Sequence, residues 1–299
     1  MADYVLSCCS PCDLSNEWVE KRDIKYVPFV VSLNGQEYED DMGITFSPRD
    51  LYVKMAQGAD AKTSQVSTGS YIEYFKQFLD EGKDIVHVCL STGISGTFQS
   101  AHIAAAELME DYPDRKIYTI DSLSASSGYG LLMELAADKR DEGLSAKEIV
   151  DWIEDYKLNI NHWFFTTDLT YLIKGGRVSK TAGAIGQVLN ICPLLDVDFK
   201  GRLTTREKIR TKKKVIKRTV EKMLENCDNG VDYDGKCFLS DSDSELGDQV
   251  TALIEETFPK MKGKVQRFDI GCTIGSHTGP GTVALFFQGK EKRRLILNI

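Results

Sequence analysis

Short runs of β-branched and aromatic residues alternate with helix-patterned segments through the first half of the chain. The predicted strands are Tyr4 to Leu6, Tyr26 to Leu33, Ile85 to Leu90 and Ile117 to Ile120. The predicted helices are a segment with an apolar stripe from Ile72 to Leu79, then Thr97 to Met109, Leu131 to Arg140 and Ala146 to Tyr156. Because strands that alternate with helices are usually joined by crossovers, this order predicts a mostly parallel, helix-covered sheet.

The second half mixes the same patterns and predicts another α/β domain. Its predicted helices are Lys212 to Leu224 and Gln249 to Phe258. Its predicted strands are Trp163 to Thr167, Leu194 to Phe199, Cys237 to Leu239, Val265 to Ile270 and Val283 to Phe287. A turn at Lys200-Gly201 favours a hairpin. We therefore expect a two-domain α/β architecture, with residues 1–161 and residues 162–299 as the domains.

Composition limits the class of partner. The 299 residues carry a formal net charge of -8, which disfavours nucleic acid because phosphate neutralisation needs a basic surface. No run approaches the roughly 18 apolar residues that a membrane span needs, and no amino-terminal apolar stretch follows a basic segment. The eight cysteines are scattered, mostly within apolar runs. This pattern predicts reduced thiols and a cytoplasmic location.

Three of the cysteines stand together in the segment Cys8-Cys9-Ser10-Pro11-Cys12. Such spacing is compatible with a metal or redox site, but a metal site needs further ligands at matching spacing. No matching Cys/His pair occurs elsewhere in the sequence. We therefore expect no bound metal.

Three segments rich in small and hydroxyl-bearing residues are predicted to be loops at strand ends or helix starts. They are residues 62–68 (KTSQVST), 91–97 (STGISGT) and 275–281 (GSHTGPG). Ligands of open parallel sheets bind beyond the carboxyl ends of strands, and a helix N-terminus favours an anion. Capping and turn formation explain any one segment alone. Together they predict a shared site whose hydroxyl groups suit a single carboxylate better than a polyphosphate.

A fourth segment, Asp168 to Ser179, contains the sequence LIKGGRVS. Adjacent glycines let the backbone turn sharply, and Arg177 directly follows them. Its guanidinium is suited to a phosphate or to a carboxylate of a partner. A linker with a solvated arginine explains the same residues, so composition leaves both interpretations open.

Taken together, these segments resemble the DegV family of bacterial fatty-acid-binding proteins, which includes the lipid-binding subunit of fatty acid kinase. The resemblance covers nearly the whole chain. It rests on Thr63-Ser64-Gln65, on STGISGTFQSA from Ser91, on LIKGGRVS from Leu172 and on HTGPG from His277. The four motifs in this order are specific, whereas any one alone is weak.

The resemblance implies a fatty acid held between two α/β domains, with its acyl chain in a buried apolar tunnel. Thr63 and Ser95 would bind the carboxylate and His277 would complete the network. Ser64 and Gly96, which adjoin the two hydroxyl residues, are assigned to the same site. Members of the family usually begin with a strand that ends in Thr-Asp-Ser, whereas this chain has Cys8-Cys9-Ser10, so Cys9 replaces the usual aspartate. Apolar residues of the strands and of Ala184 to Leu195 are candidates for the tunnel wall, although ordinary core explains most of them.

The same resemblance places Arg177 on the face that meets a kinase subunit. A basic segment between Lys208 and Arg218 is a second candidate docking surface, and Arg210 is its least helix-like position. Such a cluster attracts an acidic partner or, transiently, an anionic membrane surface. A solvated helix face explains it equally well.

The function that we expect is therefore a carrier of long-chain fatty acid such as palmitate, without a cofactor and without catalytic residues of its own. One alternative is a serine acyl hydrolase that uses Ser95 and His277. Against it, Gly93-Ile94-Ser95-Gly96 does not fit the Gly-x-Ser-x-Gly elbow. Nucleotide binding is a second alternative, but neither phosphate-binding glycine motif is present.

Overall fold

The computed structural model describes residues 4–179 and 191–292. The first part of the chain forms β1 (Tyr4–Cys9), α1 (Asn16–Lys21), β2 (Lys25–Val27), β3 (Phe29–Leu33), β4 (Gln36–Asp40), α2 (Pro48–Ala56), β5 (Ala61–Ser64), α3 (Thr68–Asp80), β6 (Asp84–Cys89), α4 (Thr97–Asp111), β7 (Ile117–Asp121), α5 (Ser126–Asp141) and α6 (Ala146–Tyr156). The second part forms β8 (Ile160–Thr166), α7 (Thr170–Lys174), β9 (Ile191–Val197), β10 (Leu203–Arg210), α8 (Lys212–Asn226), β11 (Cys237–Asp241), α9 (Ser244–Thr257), β12 (Gln266–Asp269), α10 (Cys272–Thr278) and β13 (Thr282–Gln288).

A parallel sheet of order β2-β1-β6-β7 forms the centre of the first half. All six residues of β1 are buried, which is typical of a strand covered by helices on both faces. The helices α3 and α4 follow β5 and β6 respectively, and α4 packs on β7. The predicted parallel sheet is therefore confirmed.

A second sheet has the order β10-β9-β8-β13-β11-β12 and is antiparallel except between β11 and β12. The predicted hairpin is confirmed, since β9 and β10 pair across a turn closed by the Gly201 amide, which donates to the Asp198 carbonyl at 2.9 Å. Together the two sheets and their helices confirm the predicted α/β class. The division into residues 1–161 and 162–299 stays a prediction.

A third, small sheet of order β4-β3-β5 was not predicted. The expected single strand from Tyr26 to Leu33 is wrong, because Pro28 separates β2 in the parallel sheet from β3 in the small one. Proline has no amide hydrogen to donate to a ladder, so the chain changes sheets at that residue. The small sheet and α2 share their own apolar cluster, which also contains Ile270 and Cys272.

Helix α5 packs between the two halves of the molecule. Its residues from Ser126 to Ala137 are all buried, and it contacts β8, β11 and β13 as well as the turn after β1. One apolar cluster accordingly contains residues of the parallel sheet, of α5 and of the second sheet. Within the described ranges, no helix is both long enough and apolar enough to cross a membrane.

Candidate functional site

A cavity of about 430 Å³ lies where the carboxyl end of β6 faces the second sheet and α10. Most of its wall is apolar. The apolar lining residues are Phe29, Leu90, Ile94, Ala125, Phe164, Leu172, Val197, Leu203, Ile270, Ile274, Ala284 and Phe286. The volume falls in the range of ordinary small-molecule sites, about 300–1,000 Å³. Four of the residues predicted from sequence, Thr63, Ser64, Ser95 and His277, line the same cavity.

Thr63 and His277 form the central polar pair of the site. Thr63 Oγ1 lies 2.8 Å from His277 Nε2, and either atom is able to donate, according to the tautomer of the ring. Thr63 belongs to β5 and His277 to the last turn of α10, 214 positions later in the sequence. Gly175 permits this arrangement, because a side chain there would overlap His277 Nδ1.

The imidazole of His277 is neutral at physiological pH. Burial lowers its pKa from 6.5 to about 4, and the positive charge of Arg177 lowers it further in the same direction. A neutral ring donates from one nitrogen and accepts at the other. It therefore orients a polar group without supplying a positive charge.

Ser95 lies in the loop between β6 and α4. Its hydroxyl oxygen accepts a hydrogen bond from the Thr97 amide at 3.2 Å, and its own amide donates to the Ser91 carbonyl at 3.1 Å. The tip of the β9–β10 hairpin fixes this loop, because Ser91 Oγ donates to the Gly201 carbonyl at 2.8 Å. Loop 91–97 is thus held by hydrogen bonds within itself and by the β9–β10 hairpin, and Ser95 lines the cavity.

Arg177 also lines the cavity, which sequence reasoning did not anticipate. Its Nε donates to the Ile94 carbonyl at 3.3 Å, and its Nη1 donates to the Gly175 carbonyl. Within the described part of the lining, it is the only lysine or arginine. The half-buried guanidinium therefore provides positive charge beside Thr63, Ser95 and His277. Its predicted role in docking a partner stays a prediction.

The other predicted site residues have different positions. Gly96 precedes α4 and is not part of the lining, but a side chain there would meet Gln65 Oε1 at 2.7 Å. Arg210 is exposed at the far end of β10, about 23 Å of extended strand from Leu203 in the cavity wall. Arg210 and the exposed Lys212 to Lys214 therefore form a surface separate from the cavity.

Two expectations about local structure need correction or restriction. The GSHTGPG segment is not a loop throughout, since its first four residues belong to α10 and only residues 279–281 follow the helix. In the expected tunnel segment, residues 184–190 lie outside the described residues, and Leu194 and Leu195 belong to apolar clusters of the core.

Sequence reasoning also missed several polar residues of the cavity wall, among them His162 and Thr282. His162 Nδ1 donates to the Ile160 carbonyl at 3.0 Å, and burial lowers the pKa of this ring well below 6.5. No local pattern distinguishes a histidine in an apolar strand from an ordinary core residue. Only the fold shows that it lies on the cavity wall.

The geometry agrees with what comparison with known proteins shows. A family model described as "Uncharacterised protein, DegV family" matches residues 10–290. The chain belongs to the DegV family. A DegV domain-containing protein of Clostridium perfringens is 34% identical over 293 residues, which cover 98% of this chain and 99% of the relative. The family predicted from the four motifs is therefore confirmed.

Solved DegV structures share the whole fold. A stearic acid-binding protein from Eubacterium ventriosum has a TM-score of 0.84 at 27% identity, with coverage of 97% of this chain and 99% of that one. The Fatty Acid Kinase (Fak) B3 protein of Streptococcus pneumoniae, loaded with linoleic acid, has a TM-score of 0.82 at 24% identity, with coverage of 97% and 100%. At that lower identity the second likeness establishes the shared fold alone.

The arrangement found in this DegV protein suits one singly charged acid group. Two hydroxyl groups and a neutral imidazole supply hydrogen bonds, and one guanidinium supplies a compensating charge. The rest of the wall offers apolar contact. The arrangement is suited to an amphipathic molecule whose polar end lies toward Thr63 and Ser95 and whose apolar part contacts the rest of the wall.

Proposed function

We propose that this protein binds one long-chain fatty acid and presents it to a kinase subunit, without being an enzyme itself. The carboxylate would contact Thr63, Ser95 and His277, with Ser64 and Gly96 beside them, and the acyl chain would occupy the apolar cavity. The observation that carries the proposal is the Thr63–His277 pair, 2.8 Å apart on the wall of an otherwise apolar cavity. The stearic acid-binding relative from Eubacterium ventriosum supports it.

The apolar wall would supply most of the affinity. Removal of a methylene from water contributes about 0.8 kcal/mol, so the tail of palmitate contributes on the order of 10 kcal/mol before the costs of binding. Hydrogen bonds to a charged group contribute about 1.5–3 kcal/mol each. The tail therefore decides affinity, and the hydroxyl groups decide which end of the acid faces the outside.

Arg177 would balance the charge of the bound carboxylate. A neutral histidine and two hydroxyl groups solvate an anion only in part, and a partly buried charge is costly without a partner. The guanidinium lies on the same wall and reaches the backbone of the Ser95 loop. Its position next to the carboxylate site also suits contact with a protein that reacts with that group.

The proposed reaction takes place on the partner. A carboxylate oxygen attacks the γ-phosphorus of ATP bound to the kinase subunit, which forms an acyl phosphate and releases ADP. Positioning is most of phosphoryl-transfer catalysis, so a carrier need only hold the oxygen in line with the phosphate. Arg177 and Arg210 are the proposed docking residues. We place this reaction in the cytoplasm and include transient contact of the basic segment with a membrane surface.

No observation favours the hydrolase alternative. His277 Nε2 is paired with Thr63, and Ser95 Oγ accepts from the Thr97 amide. Among the hydrogen bonds of the described residues, none joins Ser95 to His277. A serine nucleophile needs a base within hydrogen-bond reach, so the pair would require rearrangement before it could act.

Lipid analysis tests the proposal directly. Native mass spectrometry of protein purified from a bacterial host should show an excess mass of one acid of about C14 to C18, the range implied by family resemblance, and extraction should recover it. Palmitate added to delipidated protein should raise the melting temperature, because a ligand that binds only the folded state stabilises it. Hexadecanol is the matched control for the carboxylate. Absence of lipid, together with no shift on adding C14 to C18 acids, would contradict the proposal.

A further inference from the structure

Three potential metal ligands lie side by side on one face of the parallel sheet. The register pairs Ser7 of β1 with His87 of β6, so Cys9 and Cys89, two residues further along these strands, are neighbours on the same face. The ligand atoms of Cys9, His87 and Cys89 all lie within 4.8 Å of one another. Each of the three side chains is 0% exposed.

The distances fit a tetrahedral centre. Cys9 Sγ lies 3.7 Å from His87 Nε2. Bonds of about 2.3 Å to sulfur and about 2.0–2.1 Å to nitrogen, at a tetrahedral angle, place sulfur and nitrogen about 3.6 Å apart. A metal ion placed among the two thiols and the imidazole would therefore lie at bonding distance from them after only small shifts of the side chains.

The second nitrogen of His87 is already oriented. His87 Nδ1 lies 2.9 Å from Ser7 Oγ, and that hydroxyl lies 2.8 Å from Tyr74 Oη. Metal-bound histidines usually donate their other ring N–H to such a partner, which fixes the ring and leaves the opposite lone pair free for the metal. Tyr71 adds a phenol oxygen 3.2 Å from Cys9 Sγ, which we assign to the fourth position.

Charge selects the ion. Two thiolates, a neutral imidazole and the neutral phenol of Tyr71, whose hydrogen Thr97 Oγ1 can accept, carry a charge of −2, which a divalent ion cancels in a site without solvent access. A monovalent copper ion would leave one uncompensated negative charge in the apolar interior. We propose that Cys9, His87 and Cys89 bind one zinc ion, with Tyr71 as the fourth ligand.

The site is separate from the proposed fatty acid site but adjoins it. None of the three ligands lines the cavity. Tyr71 Oη also lies 2.8 Å from Thr97 Oγ1, and Thr97 donates its amide hydrogen to Ser95 Oγ. The inference revises the expectation of no metal, because the sequence separates Cys9 from His87 by 78 positions and only the strand register joins them.

The test uses the full-length protein, purified and kept reduced under anaerobic conditions. Zinc is measured by elemental analysis after equimolar loading and desalting, and Co²⁺ is used as a spectroscopic probe of thiolate ligation. We expect one zinc per chain and a thiolate-to-cobalt charge-transfer band. Cys89→Ser and His87→Gln should weaken zinc binding more than about 100-fold, since loss of an outer partner alone costs about 10–100-fold.

The matched control is Cys8→Ser, which removes a buried thiol of the same strand on the opposite face of the sheet. Full zinc content in Cys8→Ser and its loss in Cys89→Ser would support the site. Loss of zinc in Cys8→Ser would indicate that the neighbouring Cys8–Cys12 pair binds the metal, and would overturn the proposed site. Absence of zinc and of the cobalt band from the wild-type protein would overturn it whether or not the variants fold. A Cys9–Cys89 disulfide in place of metal, or stoichiometric Cu⁺ in preference to zinc, would also overturn it.

Discussion

At the scale of single residues, the proposed carboxylate site combines neutral donors with one cation. Thr63, Ser95 and His277 provide hydrogen bonds, and Arg177 provides the charge. The hydroxyl-rich segments predicted a shared site, and the resemblance to the DegV family assigned Thr63, Ser95 and His277 to it. Arg177 is held in the lining by its hydrogen bonds to the Ile94 and Gly175 carbonyls, which no spacing along the chain reveals.

Removal of both hydroxyl groups tests their assignment. The double variant Thr63→Ala and Ser95→Ala should weaken palmitate binding about 10- to 100-fold, because hydrogen bonds to a charged group contribute about 1.5–3 kcal/mol each and water replaces them in part. Fluorescent fatty acid displacement measures the affinity. The matched control, Ser70→Ala with Thr119→Ala, removes one serine and one threonine hydroxyl outside the cavity lining. Equal weakening in both double variants would contradict the assignment.

His277 should make stability depend on pH. Its pKa falls from 6.5 to about 4 on folding, mainly through burial, so the unfolded chain binds more protons between these values. Stability contributed by the neutral ring is fully present above about pH 6.5 and is lost as pH falls toward 4. This difference in pKa corresponds to up to about 3 kcal/mol of unfolding free energy. Urea unfolding of the wild-type protein and of His277→Gln should therefore show a difference in unfolding free energy that decreases with falling pH. A constant difference would contradict the expectation.

At the scale of elements, the β9–β10 hairpin holds the loop that carries Ser95. Gly201 has a φ of +70°, and a side chain at that position would overlap Ser91 Oγ. A side chain at Gly93 would in turn overlap the Gly201 carbonyl. The turn that closes the hairpin is therefore also the support of loop 91–97, and a change in one displaces the other.

Gly201→Ala should test this support. The positive φ alone costs roughly 1 kcal/mol for a residue with a side chain, and overlap with Ser91 adds about 1–3 kcal/mol. We expect lower stability in urea and weaker palmitate binding. Gly143→Ala is the control, since Gly143 has a φ of +98° but nothing lies within 4 Å of an added Cβ. Gly143→Ala should lose only the roughly 1 kcal/mol of stability that the positive φ costs, and its palmitate affinity should be unchanged. Unchanged palmitate affinity in Gly201→Ala would show that the hairpin does not position Ser95.

The elements that sequence predicted are those with strong apolar periodicity. The strands β1, β6 and β13 are buried almost throughout, and the helices α4 and α8 are buried along one face. These burial patterns match the continuous apolar runs of the strands and the helical spacing of apolar residues in the helices. The small sheet escaped prediction because β4 (QEYED) and β5 (AKTS) are mostly polar. Tertiary packing against α10 and β3, rather than local propensity, makes these segments extended.

At the scale of the whole molecule, the two halves share side-chain contacts away from the cavity. Trp18 packs edge-on against Phe238 and Phe268, with ring centroids 5.8 and 5.4 Å away. Glu134 of α5 accepts hydrogen bonds from Trp18 Nε1 at 2.9 Å and from Lys236 Nζ at 2.7 Å. These contacts fix the relative position of the walls that enclose the cavity.

The two proposed docking residues are spread over a surface larger than the cavity mouth. Arg177 lies in the lining, and Arg210 lies at the far end of β10, about 23 Å of extended strand from Leu203. If both contact one kinase subunit, Arg177→Ala and Arg210→Ala should each reduce phosphorylation of the bound acid. Palmitate affinity should be unchanged in Arg210→Ala, and in Arg177→Ala, which loses the charge that balances the carboxylate, it should fall less than phosphorylation does. The exposed Arg49→Ala is the control. Equal loss of binding and of phosphorylation in Arg177→Ala would contradict a docking role.

Because Thr63 and His277 are 214 positions apart in the sequence, no partly folded chain possesses the complete proposed headgroup site. If the acid binds as proposed, lipid occupancy and complete folding are linked equilibria, and saturation at 100 times the dissociation constant adds about 2.7 kcal/mol to the native state. Proteases act on opened molecules, and a change of this size alters abundance severalfold in cells. The amount of this protein would then follow the supply of free fatty acid, with no separate sensor required.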